Sequence, residues 1–302
     1  MSDGATTGRG GWLVVGSTSA GSSGRELIET VAGRLAGDGP TEVAVTSSPE
    51  DLDDALGHLG DRTLVAVGGD GSAHVVVNAL ERVGLLSSAT VGFVPLGTAN
   101  DFATHLGMSA EPREAADQLR HGHRRAVDLM AVSDGGHAAE LVVNAVHAGL
   151  GVLGAERATP LKPFLGRLAY PVGVAATGAV YRGLRSRVRI DGQAVDVDGP
   201  LLALAVANAP RLGGVELVPG ADITDGALDV IVVPARPWVA RLRAVRHAAG
   251  RDTDAVTVTR ARTVELDGDV GELNADGEAI DVGGSCRIEI RPGALRVLCP
   301  TP

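Results

Sequence analysis

Between Thr63 and Leu106 the chain writes one pattern twice: a short apolar run, a turn of glycine and small polar residues, then apolar residues at helical spacing. The first pass is Thr63 to Val67, then Gly68-Gly69-Asp70-Gly71-Ser72, then Ala73, Val76, Val77, Leu80 and Val83. The second is Val91 to Pro95, then Leu96-Gly97-Thr98-Ala99-Asn100-Asp101, then Phe102 to Leu106. Short continuous apolar runs suit strands buried on both faces, as in a parallel sheet, and the longer spacing suits helices packed on it. The same grammar begins earlier. Trp12 to Val15 empties into the small-residue stretch Gly16 to Gly24, followed by a helix marked by Leu27, Ile28, Val31 and Leu35. Thr41 to Val45 leads to Ser48-Pro49-Glu50-Asp51, a helix start with Ser48 as cap and Pro49 in the first turn, which runs to about Leu59. Such alternation implies a parallel sheet with right-handed crossovers and helices on both faces.

The two turns then stand side by side at the carboxyl edge of that sheet, where such sheets hold ligands. Glycine lets the backbone approach an anion, and the N–H groups opening a helix carry partial positive charge, so the pattern fits a polyphosphate. Asp70 and Asp101 would repel phosphate unless a divalent cation such as Mg²⁺ bridges them, which points to a nucleotide triphosphate with Mg²⁺. An Asp-Gly pair is also an ordinary turn signal, so each motif alone is open to a purely structural reading.

Another helix is expected from Glu111-Pro112 to about His121, and Arg124 to Val132 returns to strand-like composition. We place the boundary there: residues 1–130 as an α/β nucleotide-binding domain, and 131–302 as an antiparallel β-sandwich whose last strand or tail can return to the first domain. The second half is punctuated by Asp191-Gly192, Asp225-Gly226, Asp267-Gly268 and Asp276-Gly277 between short β-type runs, a sandwich or barrel signature. Trp238, Val239, Leu242 and Val245, with Arg241, Arg243, Arg246 and Arg251, form a basic amphipathic stretch. It suits either a helix on its own core or one resting on a membrane surface.

Charge and cysteine content narrow the partners. With 27 basic and 37 acidic residues the net charge is −10, which argues against nucleic acid and against strong electrostatic docking on anionic membranes. Two cysteines give no disulfide framework or metal cluster. The polar start MSDGATTGRGG and the lack of an apolar run of about 18 residues imply no signal peptide and no spanning helix, so a cytoplasmic protein is expected, with at most peripheral contact at the inner membrane face. Strand edges in the second half make a homodimer plausible.

The pair GGDGS at Gly68–Ser72 and PLGTANDFA at Pro95–Ala103 resembles the catalytic domain of the diacylglycerol kinase family, especially the soluble bacterial lipid kinases related to sphingosine and ceramide kinases. NAD kinases share the first motif; the second is the more specific. The likeness continues in Asn144 to Gly151 and Leu161 to Tyr181, which resemble a glycine-containing helical insertion, and in Ala207-Asn208, Gly213-Gly214, Pro219 and Asp222 to Asp229. It implies an ATP-dependent lipid kinase acting on diacylglycerol or a related lipid met transiently at a membrane surface. ATP would be held through Ser17, Thr46, Gly68, Gly69, Asp70, Gly71, Ser72, Gly97 and Thr98. Asp70, Asn100, Asp101 and Asp128 would organise Mg²⁺ and phosphates, with Asp70 also counted as catalytic. Asp225, with Asp222 and the Ala227 carbonyl, would bind a structural Mg²⁺, and Glu278 of Asp276-Gly277-Glu278 would act as general base on the lipid hydroxyl.

The chain departs from the family pattern in three places. Ser17-Thr18 stands where Asn-Pro is usual, Ser72 replaces Thr, and His74-Val75 replaces Asn-Glu, with His74 expected on a helix surface. Two other readings therefore stay open: an NAD kinase-like enzyme with a soluble acceptor, and a nucleotide-binding regulator that has lost catalysis.

Overall fold

The computed structural model describes residues 10–18, 21–136, 138–149, 183–196, 199–216, 218–235, 258–268 and 270–301. The expected helical stretches Leu161–Tyr181 and Trp238–Arg251 lie outside the described residues. The chain divides into two compact units, Met1–Val127 with Ala294–Pro302, and Asp128–Gly293.

In the first unit the elements are β1 (Trp12–Ser17), α1 (Gly21–Leu35), β2 (Thr41–Thr46), α2 (Pro49–Gly57), β3 (Thr63–Gly68), α3 (Asp70–Arg82), β4 (Thr90–Pro95), α4 (Asp101–His105) and α5 (Pro112–His121). The strands stand in the order β2-β1-β3-β4, all parallel. Residues 296–298 of the last strand of the chain pair parallel to β4. Every residue of β4, and every residue of β1 and β3 but the last, is buried, as a doubly covered parallel sheet requires. The crossovers from β1 to β2 and from β2 to β3 run in opposite directions along the sheet, so the right-handed rule puts α1 and α2 on opposite faces. In agreement, α1 packs on α5 and α2 on α3. Ser48 closes a full capping box on α2: its hydroxyl accepts from Asp51 N–H at 3.2 Å, while the Asp51 carboxylate accepts from Ser48 N–H at 3.2 Å. Caps of this kind contribute about 1 kcal/mol.

The second unit carries most of β5 (His123–Ser133), then β6 (Glu140–Val142), β7 (Ala145–Gly149), β8 (Ser186–Ile190), β9 (Gln193–Ala194), β10 (Leu201–Ala207), β11 (Arg211–Leu212), β12 (Val215–Glu216), β13 (Leu228–Pro234), β14 (Val258–Ala261), β15 (Thr263–Gly268), β16 (Glu272–Ala275), β17 (Glu278–Asp281) and β18 (Ser285–Cys299). Among the described residues one antiparallel sheet runs β14-β13-β10-β7-β16-β17. A second is built from the first part of β18 with β15, β8 and β9. Val146 and Ala148 of β7, Leu204 and Val206 of β10, and Leu273 and Ala275 of β16 alternate onto one face. There they join Val188, Val264, Leu266 and Ile288 of the second sheet in a single apolar core. This is a β-sandwich, the architecture expected from the Asp-Gly punctuation.

Two local expectations change. Residues 145–149 form a strand, not part of a helical insertion, because their apolar period is two: Val146 and Ala148 face the core, while β7 pairs on both sides, with β10 and β16. His74 is not on a helix surface. It is 5% exposed, on the buried face of α3 with Ala73, Val77 and Asn78, whereas its neighbour Val75 is the exposed position.

Candidate active site

The parallel register brings the expected nucleotide residues of the first unit to one edge of its sheet. Ser17 at the end of β1 lies beside Thr46 at the end of β2, and Gly68 at the end of β3 lies beside Pro95 at the end of β4. The Thr46 hydroxyl donates to the Gly16 carbonyl at 3.5 Å. The two glycine turns touch. A Cβ on Gly97 would sit 2.8 Å from the Gly69 Cα, and one on Gly69 would sit 3.1 Å from the Gly97 Cα, so glycine at both positions is dictated by backbone against backbone. A Cβ on Gly68 would fall 2.1 Å from the Ser72 hydroxyl oxygen, which packs directly over the turn.

Two side chains hold this arrangement. Asp70, the first residue of α3, reaches across to the second turn: its carboxylate accepts from Asp101 N–H at 3.1 Å and Phe102 N–H at 3.0 Å. Asn100 adopts a left-handed backbone (φ 52°) and folds back on Gly97, its Oδ1 accepting from Gly97 N–H at 2.8 Å and its Nδ2 donating to Gly97 O at 2.7 Å. The first amides of α4 are therefore spent on Asp70. At the start of the longer α3 the Ser72 and Ala73 N–H groups donate to the Gly69 carbonyl at 3.0 and 3.1 Å. Thr98 and Gly97 are exposed at the tip, and Asp101 is buried. The motif residues thus divide into a scaffold (Asp70, Asn100, Gly69, Gly97) and an accessible rim of amides and hydroxyls suited to an anion.

The second unit places its polar residues differently. Asp128 is 3% exposed, and its carboxylate accepts from Gly226 N–H and Gly293 N–H, both at 2.7 Å. Both oxygens are engaged with backbone, which fastens the 222–227 loop and the left-handed Gly293 (φ 61°) to β5. Asn208 adds to this tie, donating through Nδ2 to the Asp128 and Val143 carbonyls at 3.0 Å each. In the loop itself Asp222 accepts from the Thr224 N–H and hydroxyl, and Asp225 accepts from Ala227 N–H and forms an ion pair with Arg260. A carboxylate already neutralised by a guanidinium is a poor start for a Mg²⁺ site, and among the described residues no three His, Cys, Asp or Glu converge as a ligand set. Asp222 and Asp225 thus spend their carboxylates on the loop's own amides and on Arg260.

Asp276-Gly277 forms the two-residue tip of the β16–β17 hairpin, with φ 52° and 100°, the positive pair that a primed turn needs. Asp276 is buried, and its carboxylate accepts from Val143 N–H at 2.7 Å, Asn144 N–H at 2.8 Å and Ala145 N–H at 3.3 Å. Glu278 opens β17 and is exposed, and its carboxylate makes no hydrogen bond or ion pair among the described residues. Sequence reading passed over Asp276 as a turn residue, and it missed His147. That imidazole is 8% exposed and its Nε2 has no partner among the described residues. Burial pushes it down to about 4, against the opposing charge of Asp276. Its signal was available: a lone histidine in a run of alternating small apolar residues. Burial likewise raises the Cys286 thiol to about 12, so it supplies no thiolate.

Two family models match the chain. Residues 11–132 match the diacylglycerol kinase catalytic domain, and residues 144–299 match the YegS C-terminal NAD kinase beta sandwich-like domain. A protein of Stenotrophomonas maltophilia described as "Probable lipid kinase YegS-like" is 32% identical over 92% of this chain and 93% of its own length. One of Pseudomonas aeruginosa with the same description is 34% identical over 86% of this chain and 85% of its own. A crystal structure of a diacylglycerol kinase from Bacillus anthracis superposes with a TM-score of 0.72, covering 97% of both chains at 19% identity, a likeness that carries the fold. The chain therefore belongs to the diacylglycerol kinase catalytic-domain family, among the YegS-like lipid kinases.

Proposed function

We propose that this lipid kinase transfers the γ-phosphate of ATP to a hydroxyl of diacylglycerol or a closely related lipid. The observation that carries the reading is the contact of the two glycine turns at one sheet edge, locked by Asp70 onto the first amides of α4. Phosphoryl transfer asks for little covalent chemistry from the protein; it asks for phosphates gripped in a fixed place and an alcohol able to lose its proton. In this reading the Gly71 amide in the first turn of α3 and the Ser17, Ser72 and Thr98 hydroxyls grip the phosphates, with Thr46 beside them at the end of β2, its hydroxyl tied to the Gly16 carbonyl. Mg²⁺ typically uses one or two carboxylates and the substrate phosphates, and in this reading Asp70, half-buried beside both turns, supplies one of those carboxylates. When bound, the ion would neutralise charge on the phosphates. Glu278, an open carboxylate at the start of β17, takes the proton of the acceptor hydroxyl. Among the described residues no helix is long and apolar enough to cross a membrane.

The test is transfer from γ-labelled ATP, with Mg²⁺, to diacylglycerol, phosphatidylglycerol and sphingosine in mixed micelles, with Asp70→Asn alongside. Labelled lipid from the wild type, lost in the variant, is the expected result. Label in a soluble acceptor such as NAD and in none of the lipids would overturn it.

A further inference from the structure

Two carboxylates stand within three residues of one hairpin, and the fold treats them in opposite ways. Glu278 is exposed and unengaged among the described residues. Asp276 is 7% exposed and fully committed. Its oxygens accept three consecutive backbone N–H groups, those of Val143, Asn144 and Ala145, while its own N–H donates to the Ala145 carbonyl at 3.1 Å. The cost of burying a carboxylate is high unless its lone pairs are satisfied, and here three backbone donors come from the entry of β7. A two-residue hairpin tip is ordinarily among the most mobile parts of a sheet. This one is bolted to an interior strand, and Asn274 Oδ1 accepts from Gly277 N–H at 3.2 Å to close its other side.

We infer that Asp276 is a positioning residue for Glu278: by tying the Asp276-Gly277 tip to the start of β7 it fixes the backbone from which the Glu278 carboxylate projects. The inference rests on the proposed role of Glu278 as base. Asp276 touches no reacting atom in this account and acts only through its neighbour two residues on. The left-handed backbone at 276 restricts the position chiefly to Asp, Asn or Gly. Of these Asp alone offers two acceptor oxygens to three donors.

The experiment is a double-mutant cycle on the full chain, using Asp276→Asn, Gly277→Ala, Glu278→Ala and the two double variants with Glu278→Ala. The readout is steady-state transfer from γ-labelled ATP to the best acceptor among micellar diacylglycerol, phosphatidylglycerol and sphingosine. Gly277→Ala guards against a folding artefact, since a Cβ there meets nothing within 4 Å and leaves the Asp276 hydrogen bonds in place. It strains only the turn, at φ 100°. Asp276→Asn and Gly277→Ala are each expected to lower kcat by roughly 10- to 100-fold with KM for ATP within about twofold, and to lower the residual rate of Glu278→Ala by less than about twofold. Equal losses in both backgrounds would show that Asp276 supports the fold at large and overturn the inference. A wild-type rate in Glu278→Ala itself would instead overturn the reading of Glu278 as base. No transfer to any of the three lipids would overturn both.

Discussion

The glycine turns of the first unit and the Asp276 hairpin of the second use the same fastener for opposite ends. In each a buried or half-buried aspartate spends its carboxylate on backbone N–H groups of a distant segment: Asp70 on Asp101 and Phe102, Asp276 on Val143 to Ala145. Around Asp70 the result is a rim of amides and hydroxyls, an environment for anions. Around Asp276 the result is an exposed carboxylate, Glu278, with no partner among the described residues. Charge-assisted bonds to backbone are strong and directional, so they set geometry without adding a flexible side chain to the site. An acid found in a family motif is therefore as easily the bolt as the tool, and hydrogen-bond partners decide which.

The largest effect expected is on the tool. On the proposed role of Glu278 as base, Glu278→Ala should lower kcat by about 10²- to 10⁴-fold with an unchanged melting temperature, since its side chain holds nothing among the described residues. A fall in melting temperature matching the activity loss would make Glu278 another fastener and collapse the contrast. Next comes the contact of the turns: Gly97→Ala forces the two backbones apart by a Cβ lying 2.8 Å from the Gly69 Cα. A loss on the order of 10²-fold in kcat/KM for ATP is expected, measured by initial rates, with the acceptor KM unaffected.

Fasteners should show in stability instead. Asp128→Ala leaves the Gly226 and Gly293 amides without acceptors and should cost about 2–5 kcal/mol in urea unfolding of the second unit. His147 supplies a pH signature of the same unit. Its folded pKa, about 4, lies below the 6.5 of an exposed histidine, so the unfolded chain binds the proton first. Stability is full above about pH 6.5 and should fall as pH drops towards 4, by up to about 1.4 kcal/mol per pH unit. The difference between wild type and His147→Asn, followed by urea midpoint against pH, isolates that slope. As the smallest effect, breaking the exposed Arg34–Asp117 pair (2.9 Å) by Arg34→Ala should move stability by less than about 1 kcal/mol and leave transfer unchanged.

Much of the first unit was legible because its signals are local. A buried parallel strand is a short apolar run, a capped helix announces itself at Ser48-Pro49, and the glycines at 68, 69 and 97 stand where the chain must turn. The sandwich was legible through its Asp-Gly turns. Assignments by side-chain type read less well. His74 looked like a surface residue because histidine is polar, yet the helical phase places it inward and Val75 outward. Residues 145–149 looked helical by resemblance, although Val146 and Ala148 keep the period of a strand.

The sequence by itself determined the order of elements, the two architectures and the residues able to make a phosphate grip, because these follow from apolar period, turn chemistry and spacing along the chain. Only the tertiary structure decided what each aspartate does. Asp70, Asp128 and Asp276 find their partners 31, 98 and 133 residues away at the nearest or farthest contact. A hydrogen bond that closes such a loop is set by the packing of sheets and not by neighbours in the chain. The same acid-glycine pair that reads as a bare turn in sequence becomes, in the fold, either the bolt beneath a site or the platform from which Glu278 projects.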